Sequence, residues 1–506
     1  MKTQERTKPQ SKAQMQSKAQ TQNKDQAQNK RQNKKRSSKK PSNKEFAFIT
    51  YFFLILFCGM LGYFVYFQVV EKEEYISSPY NSLQDLYSAR VIRGDIIASG
   101  GEILATTELS EDGEETRVYP YGTLFSHVVG YGVNGKAGLE KQENYTLLSS
   151  HQFVADQIMS EIQGEKTNGD NVYTTLDLNL QAVAYDALGD YDGAVVVMEP
   201  STGKILAMVS KPDFNPNRIV EDWEEINEEG SSVLFNRATQ GKYTPGSVFK
   251  IVTALEYYRE NPDSYEDFDF DCDSSFTADG RTINCASNKS HGDENLIEAF
   301  GDSCNSAFAS LSLELDKTKW NQTAQELLFG ESLPIDFPHS ISSFSLSESA
   351  DDSTTMETGI GQGTTTVSPL HMALISSAIC NNGVLMEPYL VDHTESADGE
   401  VLDSYTATEY GALMTEKEAE VLENFMRQTV LKGTATKLKT SKYEAYGKTG
   451  TAQISDTEDT TNAWFTGYIK VDGKEDLAIA VVVEDSGSGS KYAVPIAKKV
   501  FDAYVK

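Results

Sequence analysis

Four serines in this sequence are followed three residues later by a lysine, a spacing that supports acyl transfer when the lysine amine removes the serine proton. Those at Ser37, Ser201 and Ser488 lie in a repetitive tail, a predicted hairpin turn and a predicted loop. Ser247 differs, because Pro and Gly before it force a turn and a helical pattern follows, which places Lys250 on the same face one turn away. Free amides at a helix start can also stabilise an oxyanion. Ser247 is therefore the candidate nucleophile.

Two further short motifs follow in order along the chain. The first, Ser303–Asn305 (SCN), precedes an apolar helical segment, and by itself it indicates a helix start capped by Ser303 or Asn305. The second, Lys448–Gly450 (KTG), precedes strand-like sequence. By itself it indicates an ordinary turn, although Gly450 would also allow close backbone approach at a strand edge that pairs with an extended peptide. Ser-x-x-Lys, Ser-x-Asn and Lys-Thr-Gly in this order form the signature of serine enzymes that react with penicillin.

The elements that must position these motifs can be predicted from the alternation and spacing of apolar residues. The segments GAVVVMEP and KILAMVSK predict two strands joined by a tight turn, and a helix is predicted to begin after a cap at Asp177. Three further strands are predicted around Lys448 and in NAWFTGYIK and DLAIAVVVED, before a terminal amphipathic helix. Strands at both ends with helices between them predict an α/β (α+β) fold, with one antiparallel sheet flanked by helices.

From about Tyr173 to its end, the sequence resembles the transpeptidase domain of class B penicillin-binding proteins, most closely the penicillin-binding protein A type. The matching segments are NRATQGKYTPGSVFKIVTA, HGDENLIEAFGDSCNSAFASL, GIGQGTTTVSPLHMALISSAICNNGVLMEPYLV, YGKTGTAQ and AWFTGY. The glycine-rich string GIGQG lacks the Lys-Ser/Thr pair of a phosphate loop and is structural in this family. Upstream, RGDIIASGGEILATT resembles a pedestal motif of the family, with Ala98 and Ser99 in place of the usual Asp and Arg.

The resemblance implies a monofunctional peptidoglycan D,D-transpeptidase that β-lactams inhibit covalently. Ser247 would attack the penultimate D-alanyl carbonyl of a stem peptide, D-alanine would leave, and an amine from a neighbouring strand would capture the acyl-enzyme. Lys250 would be the acylation base. The resemblance also implies that Ser303 relays a proton, that Asn305 contacts Lys250 and the substrate backbone, and that Lys448 supplies positive charge. Thr449 and Thr451, on either side of Gly450, would bind the terminal carboxylate. The backbone amides of Ser247 and Thr451 would form the oxyanion hole. The side chain of Cys304 is not expected to act.

Charge and hydropathy predict four regions in the 506 residues. Residues 1–45 carry 14 Lys or Arg against 3 acids, and the rest of the chain has a net charge of −41. They are predicted to form a disordered basic cytoplasmic tail. Residues 46–70 contain no charge and predict an uncleaved transmembrane signal anchor, longer than the apolar core of a cleaved signal peptide. A small β-rich pedestal, resembling a dimerisation domain, is predicted at 71–170, and the transpeptidase domain at 171–506.

Cysteines and histidines predict no cofactor and no metal site. Five cysteines form no disulfide framework, and Cys58 lies in the predicted span. Cys272 and Cys285 could form a bridge, which the sequence leaves open. The six histidines are scattered, without an HExxH or CxxC motif.

Three alternatives compete with a monofunctional transpeptidase. A bifunctional enzyme would need more than the roughly 100 residues between span and catalytic domain. A D,D-carboxypeptidase or β-lactamase would give the acyl group to water, and no carboxylate that would activate such water is identifiable. A non-enzymatic penicillin sensor would need cytoplasmic signalling machinery. The resemblance further implies several partners and no nucleic acid. The implied partners are stem peptides, lipid-linked nascent glycan strands, β-lactams, the membrane and a polytopic glycosyltransferase of the shape, elongation, division and sporulation type.

Overall fold

The computed structural model describes residues 44–67, 88–453 and 460–506. The predicted basic tail lies almost entirely outside these residues. The chain divides into two units, residues 1–76 and 77–506, which are described separately.

The first unit contains helix α1, Lys44–Tyr66. Its segment Phe46–Tyr66 is long and apolar enough to cross a membrane, with a mean hydropathy of 2.2, and its side chains are exposed. The predicted span ended at Val70, which lies outside the described residues. Length and composition of this helix therefore fit the predicted anchor.

The second unit mixes strands and helices. The strands are β1 Val91–Ile92, β2 Ile96–Ile97, β3 Ile103–Leu109, β4 Glu115–Val118, β5 Thr167–Asn168, β6 Asn171–Thr174, β7 Gly193–Met198, β8 Ile205–Lys211, β9 Asp269–Cys272, β10 Ser275–Ala278, β11 Arg281–Asn284, β12 Gly292–Asn295, β13 Val384–Met386, β14 Val391–Glu395, β15 Val401–Ser404, β16 Glu409–Ala412, β17 Glu444–Gln453, β18 Thr461–Lys470 and β19 Leu477–Val483. The α-helices are α2 Ser126–Val129, α3 Gly138–Gln142, α4 Asn144–Leu147, α5 Val154–Gln163, α6 Leu178–Leu188, α7 Trp223–Ile226, α8 Arg237–Gln240, α9 Lys250–Glu260, α10 Leu296–Asp302, α11 Asn305–Ser312, α12 Lys317–Glu326, α13 Asp352–Gly359, α14 Pro369–Cys380, α15 Glu416–Leu431 and α16 Ala493–Tyr504.

The main sheet has five antiparallel strands in the order β17-β18-β19-β7-β8. It joins the two ends of the catalytic region, as the sequence predicted. Side chains alternate between its faces, so that Val196 packs with α14 in one core and Val195 packs with α6 and α16 in another. The predicted cap of α6 is also confirmed, because the Asp177 side chain accepts a hydrogen bond from the amide of Leu180. The α/β fold class with helices on an antiparallel sheet is therefore confirmed.

A second sheet takes strands from both sides of the predicted boundary between residues 170 and 171. Its order is β15-β14-β6-β2-β3-β4, with β2 parallel to β6 and the other described pairs antiparallel. Ser99 adds a contact across this boundary, since its hydroxyl donates to the carbonyl of Leu176. The β-rich pedestal and the catalytic region thus share backbone hydrogen bonds.

Two short hairpin-like pairs lie beside the helices that carry the SCN motif. Strand β9 pairs with β12, where Cys272 lies opposite Gly292, and β10 pairs with β11. Helix α10 follows β12 directly, and α11 begins at Asn305. These pairs therefore bring residues 269–295 next to the SCN motif.

Candidate active site

Ser247 lies in a single 3₁₀ turn, Gly246–Phe249, and α9 begins at Lys250. The sequence predicted Ser247 inside the first α-helical turn, so the start of the α-helix is shifted by three residues. Gly246 has a φ of 56°, a conformation that favours glycine. Its amide donates to the carbonyl of Gly361 at 2.9 Å, and a Cβ on it would lie 2.7 Å from the carbonyl oxygen of Thr451. The GIGQG segment and strand β17 thus fix the turn.

Lys250 is fully buried and its amine has three oxygen neighbours. The Nζ atom donates at 2.8 Å to the carbonyl of Ser303 and at 2.8 Å to Oδ1 of Asn305, and it lies 3.4 Å from the hydroxyl of Ser303. Burial disfavours the charged form and lowers the pKa of Lys250 to about 8. The amine is therefore neutral in a substantial fraction of molecules near physiological pH, as a base requires.

The SCN motif spans the junction of two helices. Ser303 ends α10 in the left-handed conformation, with φ 61° and ψ 39°. Cys304 is extended and caps α11, because its Sγ accepts from the amide of Ala307 at 3.4 Å. The predicted cap, Ser303 or Asn305, is therefore wrong: the left-handed turn directs Ser303 away from the helix start, and Asn305 is already inside the helix. Their side chains are consequently available to Lys250.

Lys448 lies on β17, opposite Thr466 of β18, so the KTG motif forms a strand and the alternative of an ordinary turn is wrong. The buried Lys448 amine donates to the Ser303 hydroxyl at 2.8 Å. Burial lowers the pKa of Lys448, and the positive charge of Lys250 lowers it further. This strand therefore supplies a second buried amine to the same hydroxyl.

The remaining predicted residues lie along the same strand. The Thr449 hydroxyl is 2.6 Å from that of Thr434, a residue that the sequence did not single out, whereas Thr451 is exposed. A Cβ on Gly450 would lie 2.9 Å from the carbonyl oxygen of Pro245, so this glycine allows β17 to approach the Ser247 turn. The two backbone positions predicted as an oxyanion hole thus belong to segments in direct contact.

The sequence missed a group of side chains around Cys304. Cys272, Cys285 and His291 surround it, and the predicted absence of a metal site overlooked this group, because its members belong to different strands and loops. A cysteine inside the SCN motif, with two more cysteines and a histidine shortly before it, was the available signal. All five cysteines of the chain have free thiols, so the Cys272–Cys285 bridge that the sequence left open is not formed.

Two known domain families match the second unit of the chain. Residues 193–502, more than half of the chain, match the family described as the penicillin-binding protein transpeptidase domain. Residues 93–172 match the penicillin-binding protein A dimerisation domain.

Individual relatives match over most of the chain. A peptidoglycan D,D-transpeptidase PbpA of Mycolicibacterium smegmatis is 29% identical over 469 residues, covering 84% of this chain and 91% of the relative. The D,D-transpeptidase domain of a peptidoglycan glycosyltransferase from Eggerthella lenta superposes with a TM-score of 0.74 at 29% identity, covering 82% of this chain and 98% of that one. Penicillin-binding protein A from M. tuberculosis, solved as an imipenem acyl-enzyme complex, gives a TM-score of 0.74 at 26% identity, covering 83% and 100%. The chain therefore belongs to the penicillin-binding protein transpeptidase family.

Proposed function

We propose that this protein is a serine peptidoglycan D,D-transpeptidase whose acyl-enzyme forms on Ser247. The main observation behind the assignment of the site is the buried amine of Lys250, directed at the carbonyl of Ser303 and the side chain of Asn305 one helical turn from the candidate nucleophile. The relatives named as D,D-transpeptidases and the β-lactam acyl-enzyme structure support the reaction class.

Acylation begins with attack of the Ser247 hydroxyl on the penultimate D-alanyl carbonyl, while the neutral Lys250 amine takes the hydroxyl proton. The tetrahedral oxyanion is stabilised by the backbone amides of Ser247 and Thr451, each worth about 2.7–4 kcal/mol. When the intermediate collapses, the bond to D-alanine breaks and its nitrogen receives a proton through the Ser303 hydroxyl. Lys448, which donates to that hydroxyl, stabilises negative charge there.

Substrate binding uses the open side of β17. Thr451 is exposed and Thr449 is held by Thr434, so the strand can bind the terminal carboxylate of the stem peptide. Asn305 binds the substrate backbone while its Nδ2 continues to donate a hydrogen bond to the carbonyl of Asn284. An amine from a neighbouring stem peptide then attacks the Ser247 ester, regenerates the serine hydroxyl and completes the cross-link.

The proposed location of the enzyme rests on α1 and on the charge of the tail. The basic residues before the apolar helix favour a cytoplasmic N-terminus, so the helix serves as a single membrane anchor and the catalytic unit is extracytoplasmic. Lipid-linked nascent glycan strands then reach the enzyme at the extracytoplasmic face of the cell membrane. Their source would be a polytopic glycosyltransferase of the shape, elongation, division and sporulation type.

Labelling by fluorescent penicillin tests the nucleophile. The wild-type protein is expected to be labelled, and Ser247→Ala is not. Ser201→Ala, which removes the serine of another Ser-x-x-Lys motif in a hairpin turn, is the control and should be labelled like wild type. Labelling of Ser247→Ala would contradict the assignment. With a D-Ala-D-Ala stem peptide and an amine acceptor, cross-linked product should exceed hydrolysed product, and rapid turnover of nitrocefin would favour a hydrolase instead.

A further inference from the structure

Three thiols and one imidazole form a buried cluster that shares Cys304 with the SCN motif. The Sγ atom of Cys285 lies 3.7 Å from Sγ of Cys272 and 3.7 Å from Sγ of Cys304. The Nδ1 atom of His291 lies 3.4 Å from Sγ of Cys272. All four potential ligand atoms lie within 4.8 Å of one another. Such a donor set is that of a closed structural zinc site.

The four residues reach this point from separate elements. Cys272 ends β9, Cys285 follows β11, His291 precedes β12, and Cys304 caps α11. The three cysteines are at most 3% exposed, and the His291 side chain is 5% exposed. The fold therefore gathers four soft or borderline donors in a space shielded from water.

The distances between the donor atoms fit tetrahedral coordination of one ion better than they fit a disulfide bond. Zinc lies about 2.3 Å from sulfur and about 2.0–2.1 Å from nitrogen, so adjacent donors in a regular tetrahedron are separated by about 3.5–3.8 Å. The separations of 3.7, 3.7 and 3.4 Å are close to that range, whereas a disulfide bond needs sulfurs about 2.05 Å apart. We propose that Cys272, Cys285, His291 and Cys304 bind one zinc ion.

A neighbouring buried carboxylate independently favours a cation at this cluster. The Glu294 side chain is 3% exposed, and one of its oxygens lies 3.8 Å from Nδ1 of His291. Within the described residues, neither carboxylate oxygen has a hydrogen-bond partner. Burying a carboxylate without a hydrogen-bond partner is unfavourable, and a divalent cation in the cluster would place a positive charge beside it.

The choice of zinc follows from the ligands and from the surroundings. Thiolates with an imidazole in tetrahedral geometry favour zinc over magnesium or calcium, which prefer oxygen ligands. A surface cavity of about 180 Å³ is lined by His291, Glu294 and Asp302, so it reaches the histidine side of the cluster. Binding converts the three thiols to thiolates and releases their protons to solvent.

The ion would position catalytic side chains, a consequence that rests on the proposed function. Cys304 stands between Ser303 and Asn305, and Cys285 follows Asn284, whose carbonyl accepts from Asn305. A metal bound to both cysteines therefore fixes the turn that presents Ser303 and Asn305 to Lys250. The zinc ligands touch no substrate and act through these neighbours.

Metal analysis of the full-length protein, purified in detergent without chelators, tests the site directly. Elemental analysis is expected to find close to one zinc per chain. Cobalt(II) exchanged into the site should give the strong visible bands of tetrahedral thiolate coordination. Cys285→Ser should weaken metal binding at least about tenfold. Cys380→Ser, which alters a buried cysteine outside the cluster, should retain the full zinc content.

The outcomes separate the zinc site from the transpeptidase assignment. Three results would each overturn the zinc proposal and leave the assignment of Ser247 as nucleophile untouched. The first is a zinc content far below one per chain after reduction and incubation with zinc. The others are a mapped Cys272–Cys285 disulfide, and iron or copper bound in place of zinc. The positioning role is tested by removing zinc and restoring it. The rate of penicillin acylation should fall on removal and recover on restoration, and an unchanged rate in verified metal-free protein would overturn this role.

Discussion

The amine of Lys448 donates a 2.8 Å hydrogen bond to the hydroxyl of Ser303, which also lies 3.4 Å from the amine of Lys250. Both lysines are fully buried. Protonating both amines at once would bring two positive charges close to one hydroxyl, which is unfavourable. Burial already lowers the pKa of each lysine. One amine can therefore accept a proton while the other remains charged, with Ser303 connecting them.

Replacing Ser303 by alanine should interrupt this connection. We expect Ser303→Ala to slow penicillin acylation by about 10²–10⁴-fold, the usual contribution of a positioned proton-transfer group. The rate is measured from the mass of intact protein as the adduct accumulates. Ser310→Ala, which changes a partly buried serine of the neighbouring helix α11, is the matched control and should acylate like wild type. An equally fast Ser303→Ala variant would remove this hydroxyl from the mechanism.

Lys250 should not tolerate replacement by arginine. A guanidinium keeps its positive charge at all accessible pH values and cannot act as a base. Lys250→Arg is expected to lose about 10²–10⁴-fold in acylation rate. Because the larger side chain could disturb a buried site, Lys250→Met is measured in parallel with thermal unfolding of both variants. A folded variant of either kind that acylates at the wild-type rate would contradict the role of Lys250 as base.

Much of this arrangement was predictable because each motif carries local information. Pro-Gly before Ser247 indicated a turn, and alternating apolar residues indicated β7, β8 and the strands beside Lys448. Cys304 as the α11 cap was not predictable, since it depends on the left-handed conformation of Ser303. That conformation is determined by the packing of two helices rather than by local sequence.

Long-range strand pairing explains the other differences. The six-stranded sheet joins β2 to β6 and β6 to β14, and pairs of strands so distant in sequence have no local signature. The cysteine and histidine cluster was missed for the same reason, because the pairing of β9 with β12 brings Cys272 beside His291. Sequence spacing between these two residues does not resemble a compact metal motif.

Two glycines of the GIGQG segment offer a matched test of how the Ser247 turn is supported. Gly361 and Gly363 both have a φ of 76°, so alanine at either position is strained by about 1–2 kcal/mol. At Gly361 the new Cβ would lie 2.0 Å from the carbonyl oxygen of Gly246, whereas at Gly363 it would meet nothing within 4 Å. Gly361→Ala should therefore lose about a further 1–3 kcal/mol of unfolding free energy through overpacking.

The same pair should differ in acylation. Moving Gly246 displaces the adjoining Ser247, so Gly361→Ala is expected to slow penicillin acylation, whereas Gly363→Ala should leave the rate close to that of wild type. Unfolding free energies from denaturant titration and acylation rates from intact mass give both quantities. Equal effects of the two substitutions would show that backbone strain, and not contact with Gly246, governs this segment.

The pedestal contains a buried ion cluster whose removal should be costly. Glu140 is fully buried and accepts from Nε of Arg93 at 2.6 Å and from Nε of Arg117 at 2.7 Å. Glu140→Gln leaves two guanidinium groups without their shared carboxylate, and we expect a loss of about 3–5 kcal/mol in unfolding free energy. Glu115→Gln breaks a partly exposed pair with Lys166 and should cost at most about 1 kcal/mol.

The pH dependence of this cluster has a definite sign. Burial alone would raise the pKa of Glu140, but the charges of Arg93 and Arg117 outweigh it and lower the pKa from 4.5 to about 2. Because the folded pKa lies below the unfolded one, Glu140 stabilises the folded protein above pH 4.5 and loses this contribution as the pH falls towards 2. The difference in unfolding free energy between wild type and Glu140→Gln should therefore be constant from neutral pH down to about 4.5 and shrink below it. Denaturant titrations of both proteins at a series of pH values measure this difference, and a difference that grew on acidification would contradict the pairing.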